Sequence, residues 1–216
     1  MVPRSAAQVQ ATGGAGAPAP ARDVYLDYAA ATPLDPRVLS AMEPYLTRCF
    51  ENPSAPYARA RAARDAVEGA RADIAHLMGA KPDGVIFTAG ATEANNLAFA
   101  ATDGGVVTDA AEHESVLACA QARGAVVVGV GADGRVDPER LCATIGPTTQ
   151  LVSVELANGE VGVVQPVREI ARRVAAVRQK RLAEGSRVPL WLHTDASQAA
   201  GSLSCNVTSL GADMVT

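Results

Sequence analysis

The sequence carries, at residues 190–198, the stretch Leu190-Trp191-Leu192-His193-Thr194-Asp195-Ala196-Ser197-Gln198, in which an apolar run ends in a dense group of polar side chains. Side chains alternate along a strand, so we expect His193 and Asp195 to share a face of it. Where the strand breaks into a turn, Gln198 should come close to Asp195. A buried carboxylate is costly unless a cation meets it, so Asp195 should find a cationic partner elsewhere in the chain or in a ligand.

Around this stretch, short β-rich runs alternate with amphipathic helical patterns. Strands are predicted at residues 24–27, 84–88, 106–108, 125–130, 151–156 and 189–194, and a further one begins at Asp213. Helices are predicted at residues 36–48, 59–78, 114–122 and 166–184, from Glu93 onward and after Asp137. This alternation predicts an α/β protein with a mainly parallel sheet, in which ligands bind at the carboxyl ends of the strands.

The composition indicates one globular domain whose partner is a small molecule or a protein. The 216 residues are 48% hydrophobic and 19% charged, which is enough to bury a core. A net charge of −4 and scattered arginines give no electrostatic case for nucleic acid. The sequence has no continuous apolar run of about 18 to 20 residues, so no transmembrane helix is expected.

The first residues and the cysteines bear on location. Residues 1–22 are rich in Ala, Gly and Pro, and we expect a disordered tail there, with a weak organelle-targeting signal as the alternative. The folded domain should then span residues 23–216. The four cysteines are far apart and lack any metal-ligand spacing, so no metal site is expected. We expect free, buried thiols in a reducing compartment, the cytoplasm, instead of disulfides.

Two polar clusters follow predicted strands in the first half of the chain. In residues 88–93, small side chains and Gly90 allow a tight turn before a helix that Thr92 can cap. The free N–H groups of such a helix end can bind a phosphate, and an ordinary strand-to-helix turn is the alternative. In the second cluster, His113 follows the strand that ends at Thr108 and is either a functional group or a helix-start or surface residue.

Two more polar clusters follow later strands. Asn158 and Glu160 come after a buried strand and need partners if they lie inside the fold, and an Asn-Gly turn is the alternative. In the opening stretch, Asp195 can cap a helix and Gln198 can be a satisfied core amide. Taken together, these clusters supply an anion cradle, an aromatic platform, an amide and a carboxylate at neighbouring strand ends. Those are the parts that a pyridoxal 5'-phosphate (PLP) site needs.

Several segments resemble, in the same order, motifs of the fold-type I PLP enzymes of the cysteine desulfurase and selenocysteine lyase family. The segments are residues 25–33, 52–54, 88–96, 112–113, 157–162 and 193–198, and the resemblance spans residues 24–216. Pro56-Tyr57 and the arginine-rich helix that leads into residues 181–189 are more similar to the selenocysteine lyase branch. The resemblance implies the three-layer αβα fold of the PLP-dependent transferase large domain, incomplete at its carboxyl-terminal end, and dimers as the family norm.

The resemblance also implies how the cofactor would be held. Ala91 and Thr92 would bind its phosphate, at the helix start described above. His113 would stack on the ring and is a candidate acid or base. Asp195 would pair with the pyridinium nitrogen, which would supply the cation that this carboxylate needs.

The remaining roles concern the sides of the ring and the substrate. Asn158 and Gln198 would lie beside the ring, with Gln198 reaching its phenolic oxygen. Ala29, Ala30 and Thr32 would border the substrate pocket. The family reaction removes selenium or sulfur from selenocysteine or cysteine and leaves alanine, so one of these amino acids is the implied substrate.

The chain departs from the family pattern at the covalent anchor. The family holds PLP as a Schiff base on a lysine a few residues beyond the position of Thr216, whereas this sequence has only Lys81 and Lys180. The pattern places these lysines in a turn and on an exposed helix face, so nothing takes the catalytic role of the family's lysine, and the acceptor cysteine is missing too. Gly159 stands where the family usually has a second asparagine, and the segment at residues 96–113 is shorter than usual.

Three interpretations follow from these agreements and departures. In the first, the chain is the amino-terminal part of a selenocysteine lyase, inactive alone because the lysine is absent. A cysteine desulfurase that delivers sulfur for Fe-S clusters or thio-cofactors is the alternative within this interpretation. In the second, the chain is a non-catalytic form that binds PLP or a full-length subunit. In the third, it is a fragment from an incomplete gene model with no function of its own.

Overall fold

The computed structural model describes residues 24–216, which belong to two units, Met1–Thr32 and Pro33–Thr216. In the described part of the first unit, the Tyr25 hydroxyl donates to the backbone oxygen of Asp27 at 2.7 Å, and the Tyr25 ring meets the Tyr28 ring edge-on. Residues 28–30 form a turn, and the strand predicted at residues 24–27 is wrong, because no other backbone pairs with it in the described chain. The predicted tail at residues 1–22 lies outside the described residues.

The second unit is built on a parallel sheet of five strands in the order β2-β1-β3-β4-β5. The strands are β1 (Gly105–Asp109), β2 (Val126–Val128), β3 (Thr149–Ser153), β4 (Trp191–Thr194) and β5 (Met214–Val215). The helices are α1 (Pro36–Thr47), α2 (Ala58–Met78), α3 (Ala91–Ala100), α4 (Glu114–Ala122), α5 (Pro138–Ala143), α6 (Val167–Ala183) and α7 (Val207–Leu210). All strands run the same way, so their carboxyl ends meet at one edge, as the alternating sequence pattern predicted.

Two apolar clusters lie on the sheet. One joins Val106 of β1 and Leu151 of β3 to Phe99 of α3 and to the buried face of α4. The other joins the neighbouring residues Val107 and Val152 to helices α5, α6 and α7. Because successive strand residues point to opposite faces, the two clusters cover the two faces of the sheet. The predicted three-layer αβα fold is confirmed.

Local signals explain where several helices begin and end. Asp137 accepts a hydrogen bond from the N–H of Glu139 at 2.8 Å and caps α5, which has a proline in its first turn. Gly79 ends α2 in the left-handed conformation, with φ of 62°. The short helix α7 was not predicted; Asn206 caps it through the N–H of Ser209.

The strand predicted at residues 84–88 is wrong. Pro82–Gly84 forms a 3-10 turn and Val85 after it is extended, but residues 85–88 pair with no strand in the described part of the chain. Arg71 instead donates to the carbonyl of Val85 and stacks over the ring of Phe87 at 4.8 Å. The apolar run has the composition of a strand, but a strand also needs a neighbouring strand to pair with.

Two further sequence expectations can be compared with the described residues. The four cysteines are free, as expected, although only Cys205 is buried and Cys49 is exposed. Among residues 24–216, none of the helices is long and apolar enough to cross a membrane.

Candidate functional site

Three polar segments leave the carboxyl edge of the sheet and touch one another there. They follow β1, β3 and β4 at residues 110–113, 155–160 and 195–198. The Asn158 side-chain amide donates to the carbonyl of Ala111 at 2.7 Å and so joins the first two segments. The last two are in contact as well, because a Cβ placed on Gly159 would come within 2.9 Å of the Gln198 side chain. Three of the four predicted clusters therefore meet at one edge.

Asp195 lies at the centre of this edge and is only 5% exposed. Its Oδ1 accepts hydrogen bonds from the backbone N–H of Ser197 at 2.9 Å and from the hydroxyl of the same residue at 2.6 Å. Its Oδ2 accepts from the side-chain amide of Asn95 at 2.8 Å. No lysine, arginine or histidine among residues 24–216 forms an ion pair with it. The cation expected from the sequence is therefore not a described side chain.

Asn95 is the residue that sequence reasoning missed. It lies on α3, is fully buried, and donates both to Asp195 and to the hydroxyl of Ser115, the latter at 2.9 Å. Its carbonyl oxygen accepts from the hydroxyl of Thr216 at 2.6 Å. A signal was present: Asn95 falls on the helix face of the buried residues Ala98 and Phe99, where an amide must find partners.

His113 caps α4. Its Nδ1 accepts a hydrogen bond from the backbone N–H of Ser115 at 3.1 Å, and its imidazole is exposed. The helix-start role weighed in the sequence is thus present. It does not compete with stacking on a cofactor, because capping uses one ring nitrogen and leaves the ring face open. The stacking role stays a prediction.

The amino-terminal end of α3 has the features of an anion site. The helix begins at Ala91 after Gly90, and no side chain caps it. The prediction that Thr92 caps this helix is wrong, because Thr92 is already its second residue. Glu93 instead accepts a hydrogen bond from the N–H of Ala89 at 2.6 Å. A Cβ on Gly90 would meet nothing within 4 Å, so a phosphate has room to reach the helix end.

Asn158 is held by its own turn as well as by Ala111. Its side-chain oxygen accepts from the N–H groups of Glu160 and Val161, both at 2.9 Å, which is the Asn-Gly turn considered as the alternative. The amide therefore fixes the loop that leads to His113. Its predicted place beside the cofactor ring, and that of Gln198, stay predictions.

The predicted substrate pocket lies in the first unit. Ala29, Ala30 and Thr32 are exposed there, and residues 28–30 form a turn. This local geometry neither requires nor conflicts with a substrate. Their role as the border of a pocket stays a prediction.

Three buried carboxyl groups surround the segment between β1 and His113. Burial raises the pKa of Asp109 to about 6 and the pKa of Glu155 to about 7. Burial also raises the pKa of Glu112 well above its ordinary value, and the neighbouring acids add to that effect. This edge of the sheet therefore carries less negative charge near neutral pH than the number of its acids suggests.

These residues fit PLP on two observations. The uncapped end of α3 offers N–H groups and open space for a phosphate. Asp195 is a buried carboxylate with hydrogen-bond donors on both oxygens but no described cation beside it. A protonated pyridine nitrogen is a cation of the kind that such a carboxylate requires.

Comparison with known proteins gives consistent matches. The class V aminotransferase family model matches residues 24–216. The chain is 36% identical to selenocysteine lyase of Homo sapiens over 91% of its length, and 40% identical to the mitochondrial cysteine desulfurase of Drosophila melanogaster over 90%. It covers 51% and 42% of these relatives, about half of their length. Among solved structures, SspA in complex with cysteine matches with a TM-score of 0.78, at 32% identity over 88% of this chain and 55% of the other.

The raised pKa of Glu155 makes a prediction about stability. A carboxyl group that holds its proton more tightly in the folded chain than in the unfolded chain stabilises the fold fully below about pH 4.5, and this contribution is lost as the pH rises through about 7. Glu155→Gln keeps a neutral side chain at every pH. Its free energy of unfolding, relative to wild type, should therefore rise by about 1–3 kcal/mol between about pH 5 and about pH 8.

Urea titrations of both proteins at each pH measure this difference. The comparison with wild type removes the opposite effect of His193, whose pKa burial lowers to about 4. Glu160→Gln, an exposed neighbour, is the control and should show no such trend. A difference between Glu155→Gln and wild type that stays constant with pH would contradict the assignment.

Proposed function

This chain belongs to the class V aminotransferase family, and we propose that it forms the cofactor-binding part of a PLP-dependent lyase that acts on selenocysteine or cysteine. Selenocysteine lyases and cysteine desulfurases of this family depend on PLP. The observation that carries the proposal is the buried carboxylate of Asp195, which has donors on both oxygens but no cation among residues 24–216. The pyridinium nitrogen of PLP supplies that cation.

Different residues of the chain bind different parts of the cofactor. The backbone N–H groups at Ala91 and Thr92 bind the phosphate at the start of α3. Asp195 keeps the pyridine nitrogen protonated, and His113 covers one face of the ring. When bound, PLP withdraws electrons from an amino acid and so allows the bond from Cβ to selenium or sulfur to break. Asn158 and Gln198 orient the ring from its sides.

Within this class we propose a selenocysteine lyase, with a cysteine desulfurase as the alternative. The support is the match to selenocysteine lyases of Homo sapiens, Rattus norvegicus and Bos taurus at 36–37% identity over 91–92% of the chain. The alternative is supported by cysteine desulfurases of similar identity and by the cysteine complex of SspA. Both activities leave alanine, so the two are separated by comparing the rates of alanine release from selenocysteine and from cysteine.

For the chain of 216 residues on its own, we propose that PLP binding is noncovalent and that catalysis is absent. The sequence has two lysines. Lys81 is exposed before the 3-10 turn at Pro82–Gly84, and Lys180 lies 3.9 Å from Glu184 on α6. Neither contacts the segments that form the candidate site. Both the lyase interpretation and the non-catalytic interpretation therefore expect these 216 residues to bind PLP without a covalent bond.

The free thiols fit a reducing compartment, and we therefore propose a cytoplasmic location. A mitochondrial cysteine desulfurase among the relatives keeps an organelle as the alternative. The homodimer implied by the family resemblance stays a prediction.

The role of Asp195 is tested by PLP affinity. Loss of a charged hydrogen-bond partner of the cofactor should weaken binding of PLP by Asp195→Asn about ten- to a hundredfold. Absorbance titration of the purified chain with PLP measures this. Asp103→Asn, an exposed aspartate just before β1 at the opposite edge of the sheet, should bind as wild type does. Equal affinity of Asp195→Asn and wild type would refute the role of Asp195.

Borohydride reduction tests noncovalent binding. After titration with one equivalent of PLP, reduction and peptide mapping by mass spectrometry should find no stoichiometric PLP on Lys81 or Lys180. The variants Lys81→Ala and Lys180→Ala should keep wild-type affinity. One PLP fixed per chain on either lysine, with loss of affinity in the matching variant, would show that an anchor exists.

Substrate choice is tested on the protein as its own cells make it, because we propose that the 216-residue chain alone does not catalyse the reaction. In the presence of dithiothreitol, which supplies the two electrons that convert the released selenium to selenide, we expect alanine and selenide from selenocysteine, with a kcat/KM at least tenfold above that for cysteine. A kcat/KM for cysteine equal to or above that for selenocysteine would establish the desulfurase alternative. Release of no alanine from either substrate, in the presence of PLP, would overturn the lyase proposal.

A further inference from the structure

Six side chains, five of them buried and one (Thr216) half-buried, form a continuous series of hydrogen bonds behind the candidate site. In order, the series contains Glu112, Ser153, His193, Thr216, Asn95 and Asp195. We propose that Glu112 is a neutral carboxylic acid that donates to Ser153, so that every bond of this Glu112–Asp195 series points towards Asp195. The direction of the bonds follows from an ionised Asp195 and does not need PLP, whereas their importance for PLP rests on the proposed function.

The direction is decided at the Asp195 end. A carboxylate only accepts hydrogen bonds, so the Asn95 atom that lies 2.8 Å from Asp195 Oδ2 must be the amide nitrogen. The carbonyl oxygen of Asn95 then faces the hydroxyl of Thr216 at 2.6 Å. The hydroxyl has one proton, and it must use that proton on Asn95.

The next two bonds follow from this choice. Thr216 has no proton left, so the Nε2 atom of His193, at 3.1 Å, must carry one and donate it. A neutral imidazole has only one N–H, so its Nδ1 accepts. Ser153, whose hydroxyl lies 2.9 Å from that Nδ1, must donate to it. Reversing any of these bonds would place two acceptor oxygens face to face at 2.6 or 2.8 Å.

Glu112 must therefore be the hydrogen-bond donor at the start of the series. Glu112 Oε1 lies 3.1 Å from the Ser153 hydroxyl, which has already given its proton to His193. Only a protonated carboxyl group can make this contact a hydrogen bond. Its other oxygen, Oε2, is buried and has no hydrogen-bond partner among the described residues, which a carboxylate would tolerate poorly.

The competing arrangement moves the same proton to His193 and makes an imidazolium and a Glu112 carboxylate. Burial disfavours it at both ends. His193 is fully buried beside Phe99, and burial lowers its pKa to about 4. Burial raises the pKa of Glu112, and the charges of Asp109, Glu155 and Asp195 raise it further. The neutral pair is therefore favoured.

The direction of the bonds limits the number of carboxylate anions at the two ends of the series. While His193 is neutral, the series accommodates one carboxylate anion, either at Glu112 or at Asp195. A neutral Glu112 leaves the anion on Asp195, where a pyridinium requires it. Asn95 also donates to Ser115, which contacts His113 Nδ1 at 2.7 Å, so the same amide orients the stacking residue. Glu112 is thus a positioning residue for both cofactor contacts.

Infrared difference spectroscopy tests the protonation of Glu112. At about pH 8, above the pKa values of about 6 for Asp109 and about 7 for Glu155, the wild-type chain should show the carbonyl stretch of one carboxylic acid. Glu112→Gln should remove this band, whereas the matched controls Asp109→Asn and Glu155→Gln should retain it. A spectrum without the band in wild type, or a band that survives Glu112→Gln, would overturn the proposal.

Nitrogen-15 NMR of His193 gives a second test that needs no variant to fold. In the wild-type chain at the same pH, His193 should be a neutral imidazole protonated on Nε2, with Nδ1 as the acceptor. An imidazolium, or a proton on Nδ1, would contradict the direction of the series. Both spectra are recorded without cofactor, so a failure to bind PLP would count against the proposed function and leave this inference standing.

Discussion

The hydrogen bond from Asn95 to Asp195, 2.8 Å long and joining residues that are 100 positions apart, is the interaction on which the candidate site depends. It joins α3, whose amino-terminal end is the candidate anion site, to the carboxyl end of β4. Through Ser115 the same amide reaches the cap of α4 and His113. A single buried side chain thus links the start of α3, His113 and the Asp195 carboxylate, the three groups that we propose hold PLP. A change of Asn95 would disturb all three, although Asn95 need not touch the cofactor.

The electrostatics of this edge contain a conflict that burial resolves. The site collects buried acids at the edge of the sheet where an anionic cofactor is expected, and ionised acids there would repel it. Burial raises the pKa of Glu112 well above its ordinary value and that of Glu155 to about 7, which reduces the charge near neutral pH. Asp195 differs because donors from Asn95 and Ser197 reach both of its oxygens. The arrangement concentrates negative charge on the one carboxylate that a pyridinium can use.

The sheet and most of its helices could be predicted because their signals are local. The alternation of β-rich runs with amphipathic helices predicted the parallel order of strands, and capping residues such as Asp137 marked helix starts. The run at residues 84–88 shows the limit, since its pattern is that of a strand but pairing depends on a neighbour. The predicted Thr92 cap was wrong for a related reason. The residue type can cap a helix, but only the folded backbone decides whether that residue lies at the cap position or inside the helix.

The site was predictable in part for the same physical reason. Asp195, Asn158 and His113 stand directly after strands, and the rule for parallel sheets brings such residues to one edge. Glu112, Ser153 and Thr216 also lie at or just after strand ends, and Asn95 lies inside α3, but nothing in the sequence marks these four residues as connected. Their importance comes from partners up to 121 positions away, as for Asn95 and Thr216, and no local pattern contains that information. A polar residue on the apolar face of a helix was the one available sign.

The protonation state of the bound cofactor tests the central claim, that Asp195 is a buried carboxylate whose cation is a pyridinium. PLP labelled with nitrogen-15 in its ring can be added to the chain and its ring nitrogen observed by NMR at about pH 8. The account predicts a protonated ring nitrogen in the wild-type chain and an unprotonated one in Asp195→Asn. An unprotonated ring nitrogen in PLP bound to the wild-type chain would contradict it.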